Sequence, residues 1–278
     1  VDARVTVRLR ELTADDIEPV NAMLLAAFPN STPYGPRLRE FHGANVGYTL
    51  LAEDDGVLIG MGTLLDYGRS GYIAHVGVDP ARQSRGVGRQ LMEGLLAESK
   101  RRRHRFVELQ STDAGYKLYL ALGFVVARDT IAYGGGRPQE LETGVAGAWP
   151  EDRAAVAAFD AHAFGADRSS TVAQWFADPE ATLLLHREGR RITGFIAARR
   201  GRIGPWLATN DRVAGRLIDA LLVRRGDELP VFAASDASDR ILSTRGFTEL
   251  GRNRHMIWGA RRIPSRPQVY GLVTLSQG

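Results

Sequence analysis

The richest chemical signal lies in Val76-Gly77-Val78-Asp79-Pro80-Ala81-Arg82-Gln83-Ser84-Arg85-Gly86-Val87-Gly88-Arg89. Val76–Val78 reads as the end of a strand, Asp79-Pro80 as a turn, and the residues from Gly86 as the start of a helix. Glycines at Gly86 and Gly88 let the main chain approach a ligand closely and take angles closed to other residues. Main-chain N–H groups at a helix start, reinforced by the helix dipole, form an anion site. Arg82, Arg85 and Arg89 add positive charge around it. The combination predicts a phosphate or diphosphate ligand. It is not a Walker loop, because no Gly-Lys-Ser/Thr follows, and the Gly-x-Gly-x-x-Gly dinucleotide fingerprint is absent. The glycine pair alone fits equally a plain strand–helix connection edged by surface arginines.

The pattern extends further. Val78-x-Pro80-x-x-Gln83-x-x-Gly86-x-Gly88, followed downstream by Tyr119-x-x-x-Gly123-Phe124, resembles the GCN5-related N-acetyltransferase (GNAT) superfamily over roughly Val5–Tyr133. The resemblance implies an α/β (α+β) fold, a mixed and mostly antiparallel twisted sheet flanked by helices, with acetyl-CoA as donor. Val76, Gly77 and Val78 would lie along its pantetheine arm as if pairing with an added strand. A main-chain N–H near Val76 would hold the thioester oxygen. Gln83, Ser84, Arg85, Gly86, Val87, Gly88 and Arg89 would wrap the diphosphate. Thr112 stands where the family often carries an asparagine that meets the pantetheine arm. Tyr119 would be the general acid, since a phenol of ordinary pKa ~10 can protonate a departing CoA thiolate. Its competing reading is a half-buried helix tyrosine packed beside Phe124.

An amine acceptor must lose a proton before attack, because an alkylammonium has a pKa of ~10.4. His75, Glu108, Asp66 and an ordered water chain are the candidate bases, and none is assigned. Strand alternation puts His75 out of phase with Tyr72 and Ala74, where relatives carry a base on this strand, unless a bulge shifts it. A packed or surface histidine is the expectation. Phe28, Tyr34, His42 and Asp66 are candidate acceptor-binding residues, and the loop Pro29–Pro36 is either a lid or simply a helix–helix connection. No metal is expected.

These groups need elements to hold them. Val5–Leu12 reads as a strand, and Asp15-Asp16 opens a helix toward Phe28. Tyr48–Glu53 and Val57–Asp66 form a hairpin through Asp54-Asp55-Gly56. Tyr72–Val78 is a strand, followed by a helix with Val87, Leu91, Met92, Leu95 and Leu96 on one face. Phe106–Gln110 is a strand, Ala114–Leu122 a helix stopped by Gly123, and Phe124–Tyr133 a strand. Gly134-Gly135-Gly136-Arg137-Pro138 reads as a linker. The expected division is 1–133 as a catalytic domain, 134–138 as the linker and 139–278 as a second domain.

That second half repeats the first weakly. Glu151-Asp152 leading to Phe164 echoes Asp15-Asp16 leading to Phe28, and Thr244-Arg245-Gly246-Phe247 echoes Ala121-Leu122-Gly123-Phe124. Leu183–Glu188 and Ile192–Ala198 echo the hairpin. The copy lacks the Gln-x-x-Gly-x-Gly loop, and Leu242 stands in place of Tyr119. Phe164–Arg168 with Ile203-Gly204-Pro205-Trp206 resembles the degenerate C-terminal domain of tandem bacterial acetyltransferases. It is expected to be non-catalytic, with Trp206 in a core.

The chain has 278 residues, 44% hydrophobic and 24% charged, which excludes collagen-like and wholly disordered classes. No cysteine is present, which excludes disulfides, zinc–thiolate sites and a cysteine nucleophile and fits a reducing cytoplasm. No apolar run reaches the ~18 residues of a membrane span. The net charge of +4 is mild. Lys100–Arg105 reads as a solvated helix end rather than a nucleic-acid patch, since no aromatics interleave with it. The reading is an N-acetyltransferase acting on a primary amine of a small molecule or amino-acid derivative by direct attack. The alternatives are a non-catalytic acyl-CoA-binding or regulatory module and an acetyltransferase of protein or peptide amino groups.

Overall fold

Short, largely apolar runs build the first sheet, and β3 and β4 are buried along most of their length. β1 (Arg8–Glu11), β2 (Gly47–Asp54), β3 (Val57–Asp66) and β4 (Ser70–Val78) pair antiparallel in that order, and β5 (Phe106–Ser111) joins β4 in parallel. The β2–β3 turn uses Asp55 and Gly56 at φ of 50° and 79°, the two left-handed positions of a tight hairpin. The computed structural model describes residues 7–29, 33–43, 46–140, 144–199, 201–225, 229–260, 262 and 264–277.

Helices cover both faces of this sheet. α1 (Ile17–Ala27) and α2 (Gly35–Gly43) lie on one side. Ile17, Val20, Met23, Leu24 and Leu38 pack there with Leu51 and Met61. On the other side α3 (Val87–Arg101) buries Val87, Leu91, Met92, Leu95 and Leu96, the stripe expected from its periodicity. Each such side chain contributes about 1.5–3 kcal/mol. α4 (Asp113–Ala121) adds Tyr119 to the same cluster.

The basic run at the end of α3 is not simply solvated. Arg101 and Arg102 both bind Glu98 at 2.6 Å. Arg102 also reaches Asp66 at 2.8 Å. The His104 side chain is 0% exposed, set between Ser99 and Asp66. The run therefore ties the end of α3 to the end of β3.

The second sheet contains β7 (Val145–Gly147), β8 (Thr182–Glu188), β9 (Arg191–Arg199) and β10 (Arg202–Ala208), paired antiparallel in that order. β11 (Val231–Phe232) meets β10 in parallel and β6 (Val125–Gly135) antiparallel, and β13 (Val269–Gly271) meets β10 antiparallel. Its helices are α5 (Arg153–Phe164), α6 (Ser169–Ala177), α7 (Asp211–Arg225) and α8 (Asp236–Thr244).

Two compact units result, and neither is one continuous stretch. The first takes Val1–Gln110, Ala114–Val125 and Met256–Arg261, and the second takes the remainder. Most of β6 counts with the second unit, while the tip of β12 (Phe247–Trp258) counts with the first. Gly134 and Gly135, expected in a linker, instead close β6. At Gly134 a Cβ would meet Leu250 at 2.7 Å, so that glycine answers to close packing rather than to flexibility.

Candidate active site

β4 and β5 part company in the middle of the first sheet. Their parallel register runs from Ser70–Phe106 to Ile73–Leu109 and stops, although β4 continues to Val78 and β5 to Ser111. On its other edge β4 stays paired to β3 up to Gly60–Val78. Beyond Ile73 the β5-facing edge of β4 thus offers main-chain groups to an extended ligand, as an exposed sheet edge does. Val76, Gly77 and Val78 lie along it.

A bulge sits inside this stretch. Thr63 pairs with Ala74 and Met61 with Gly77, so three steps on β4 match two on β3. His75 takes the extra position with φ of 49°, a left-handed angle rarely held by a side-chain-bearing residue. The bulge turns His75 onto the α1–α2 face, against the simple alternation of the sequence. There it stacks on Phe41 at 5.7 Å and meets Tyr34 edge-on at 5.3 Å. Arg37 Nη1 lies 3.2 Å from His75 Nε2. Phe28 is 6.3 Å from Tyr34, and a Cβ on Gly77 would strike Leu24 at 2.5 Å and Phe28 at 3.3 Å. Gly77 therefore lets α1 lie directly on the strand.

The loop after β4 is exposed over Gln83–Gly86. Asp79 holds the turn, accepting from the Ala81 N–H at 2.8 Å, and the Gln83 amide donates to Val78 O at 3.1 Å. Ser84 and Gly86 take left-handed φ values of 61° and 84°. Gln83–Gly86 are exposed, and α3 opens at Val87 without a side-chain cap. The leading N–H groups of that helix have no intrahelical acceptor, so they suit an anion. Arg85 and Arg89 are exposed beside them. Arg82 is committed elsewhere, 3.1 Å from Asp54. A Cβ on Gly88 would lie 3.5 Å from Leu118, which fixes how closely α4 approaches the start of α3.

Tyr119 projects from α4 into the core cluster, with its ring 5.9 Å from Phe124. Among the described residues its hydroxyl makes no hydrogen bond. Burial pushes its pKa up to about 12, so the phenol holds its proton firmly.

Other expected site residues fall elsewhere. His42 is exposed at the end of α2, whereas its neighbour Phe41 is buried and joins the cluster. Asp66 sits at the far end of β3, paired with Gly71. It binds Arg102 at 2.8 Å, His104 at 3.1 Å and the Gly68 N–H at 2.8 Å. Burial alone would raise its pKa, but those hydrogen bonds outweigh it and hold the carboxyl below the usual range. Asp66 is thus a brace and not part of the aromatic cluster. Glu108 is fully buried beside Tyr72. Thr112 is exposed and counts with the second unit. Sequence reasoning missed Phe41, Gln110 and Gly115. A polar pair at Glu108 and Gln110 between apolar strand positions, and a glycine four residues before Tyr119, were the available signals.

The second unit fills the equivalent space with its own chain. β10 meets β11 only at Ile203–Val231, after which β13 lies beside it through Trp206–Gly271 and Leu207–Val269. A Cβ on Gly204 would collide with Leu272 O. Only Thr209 and Asn210 separate β10 from α7, and the Asn210 side chain accepts from the Val213 N–H at 3.0 Å. Tyr270 donates its hydroxyl proton to Asp211 at 2.6 Å, on the first turn of that helix. Leu242 and Trp206 are fully buried. Among the described residues no group of His, Asp and Glu could hold a metal ion, and no helix is long and apolar enough to cross a membrane.

Comparison with known proteins gives two family matches. Residues 15–124 match a model described as "Acetyltransferase (GNAT) family", and residues 156–271 one described as "Acetyltransferase (GNAT) domain". A Pyrococcus horikoshii protein described as a candidate acetyltransferase has a TM-score of 0.81 at 25% identity, covering 98% of this chain and 96% of that one. A GCN5-related N-acetyltransferase from Anabaena variabilis has a TM-score of 0.68 at 13% identity, covering 90% and 72%. One from Sphaerobacter thermophilus has a TM-score of 0.64 at 18% identity, covering 94% and 98%. The last two likenesses concern the fold alone. No match was found among curated proteins.

Proposed function

Because the chain carries two GNAT acetyltransferase domains in tandem, we propose that the first transfers an acetyl group from acetyl-CoA to a primary amine, and that the second is not catalytic. The observation that carries this reading is the fork between β4 and β5, which ends their pairing at Ile73–Leu109 on the strand that leads into the uncapped start of α3. The residues present fit the donor. Val76–Val78 would hold the pantetheine arm along the open edge. Amides from Gln83 to Arg89 would take the diphosphate, with Arg85 and Arg89 adding charge.

Acetyl-CoA, when bound, supplies a thioester whose acetyl carbon an amine can attack. A main-chain N–H near Val76 steadies the negative charge that grows on oxygen during attack. Tyr119 gives its hydroxyl proton to the departing sulfur, and its raised pKa keeps that proton available at neutral pH. The acceptor sheds its own proton on the face where His75 and Glu108 lie. Phe28, Tyr34 and Phe41 shape that face for an amine on a small molecule or amino-acid derivative. No covalent enzyme intermediate is needed, and the absence of cysteine fits both that route and a reducing cytoplasm. Non-catalysis in the second domain is supported by its missing loop, its Leu242 and the β13 strand seated beside β10.

Two measurements test the reading. Acetyl-CoA titrated by calorimetry should bind one site per chain, and a free-thiol assay over a panel of primary amines should show turnover. Binding without turnover would leave an acyl-CoA-binding module. No heat at millimolar coenzyme would overturn the proposal.

A further inference from the structure

Gln110 sits at the mouth of the fork. Val107 and Leu109 point into the cluster beneath α3. Alternation along β5 therefore puts Glu108 and Gln110 on the opposite face. Glu108 pairs with Tyr72, which packs with Phe41 and Ala74 beneath α2. This is the face that carries His75. Pairing with β4 ends at Leu109, so Gln110 is the first residue of β5 past the split.

Both polar atoms of the Gln110 amide, Oε1 and Nε2, are enclosed by protein and have no hydrogen-bond partner. The group carries two N–H donors and a carbonyl acceptor. Leaving all of them unmet in the interior is costly, and native proteins keep few such groups. A methionine or leucine would fill the space without that cost. A partner arriving with the ligand would repay it. An ammonium could engage only Oε1 and a carboxylate only Nε2, whereas an amide offers both an N–H and a C=O. A donor paired to β4 like an added strand lies in the plane of the sheet, but Gln110 projects off that plane to the acceptor's side.

Resting on the acetyl-transfer reading above, we infer that Gln110 is a specificity residue for the acceptor, and that the acceptor bears an amide beside its amine, as amino-acid amides do. Gln110 bonds that amide and so fixes where the amine sits.

The test uses the full chain, acetyl-CoA and two acceptors. Leucinamide carries the amide, and isoamylamine has the same skeleton without it. In Gln110→Leu the ratio of kcat/KM for leucinamide to that for isoamylamine should fall at least about tenfold relative to wild type. The difference in basicity between the two amines cancels in that comparison. Acetyl-CoA affinity by calorimetry should stay within about twofold, and melting temperature should rise because the orphaned amide is gone. Gln110→Met should behave alike. An unchanged ratio in both variants overturns the assignment, as does a lowered melting temperature in both, which would mark a structural amide. Absence of wild-type turnover with leucinamide also overturns it, even where acetyl-CoA binds. If acetyl-CoA gives no heat with wild type, the acetyl-transfer reading itself has failed and takes this one with it.

Discussion

A Cβ on Gly115 would lie 2.6 Å from Tyr119 Cε2 and 3.0 Å from the Tyr119 hydroxyl oxygen. The phenol leans back over the preceding turn of α4, as long helical side chains do, and the missing methyl at Gly115 gives it room. Glycine inside a helix costs about 1 kcal/mol relative to alanine. Gly115→Ala should therefore give up that expected gain in stability, because the ring must move. It should also lower kcat about tenfold at unchanged KM for acetyl-CoA. Steady-state kinetics beside a melting curve will show whether kcat alone responds.

Tyr119→Phe removes the phenol hydroxyl and keeps the ring. Turnover should drop about 10²–10⁴-fold, while calorimetric affinity for acetyl-CoA should stay within about twofold.

The raised Tyr119 pKa also sets a pH profile. An acid works only while protonated, so its activity would be lost as pH rises through about 12. The attacking amine works only when neutral, near pH ~10 and above for an alkylamine. The rate should therefore climb from pH 7 to about 10 with no alkaline descent, as a free-thiol assay can follow. A descending limb below pH 9 would assign the acid to another group.

Gly86 has φ of 84° and no atom within 4 Å of where a Cβ would stand. Only the backbone angle opposes a side chain there, at about 1–2 kcal/mol. Gly86→Ala should raise KM for acetyl-CoA severalfold and spare kcat at saturation, since the diphosphate amides shift while Tyr119 does not.

Hydrogen bonds from Arg101, then Arg102, hold the Glu98 carboxyl down at about 2 against an ordinary 4.5. The folded state thus binds fewer protons than the unfolded one through that window. The stabilisation is complete above pH 4.5 and is lost as pH falls toward about 2. Arg101 is largely exposed, so solvent screening weakens the contribution. Denaturant melts of Glu98→Gln should be weaker than wild type at pH 7 and should converge with it near pH 2.

Local features were legible in the amino-acid string. Asp55-Gly56 announced its hairpin because few other residues hold two left-handed angles, and Val87 to Leu96 announced α3 by period. The features that escaped depend on partners distant in sequence. His75 seemed out of phase because alternation says nothing about a bulge. Pro29–Pro36 reads as a loop by composition, though a proline in the first turn of a helix is well tolerated, and α2 begins at Gly35. Asp66 invited a ligand by type, yet its partners Arg102 and His104 lie 36 and 38 residues away. That most of β6 counts with the second unit and the tip of β12 with the first leaves no mark in composition.

The β13 segment gives the two halves different thermodynamic characters. A tethered strand never dilutes away, so the second half's cohesion is independent of metabolite supply. On the proposed function the first half, by contrast, would gain stability with the logarithm of coenzyme concentration. Scanning calorimetry at rising acetyl-CoA should move the unfolding of one half upward and leave the other where it stood. Starvation for acetyl groups would then be felt as loosening in a single half of the molecule.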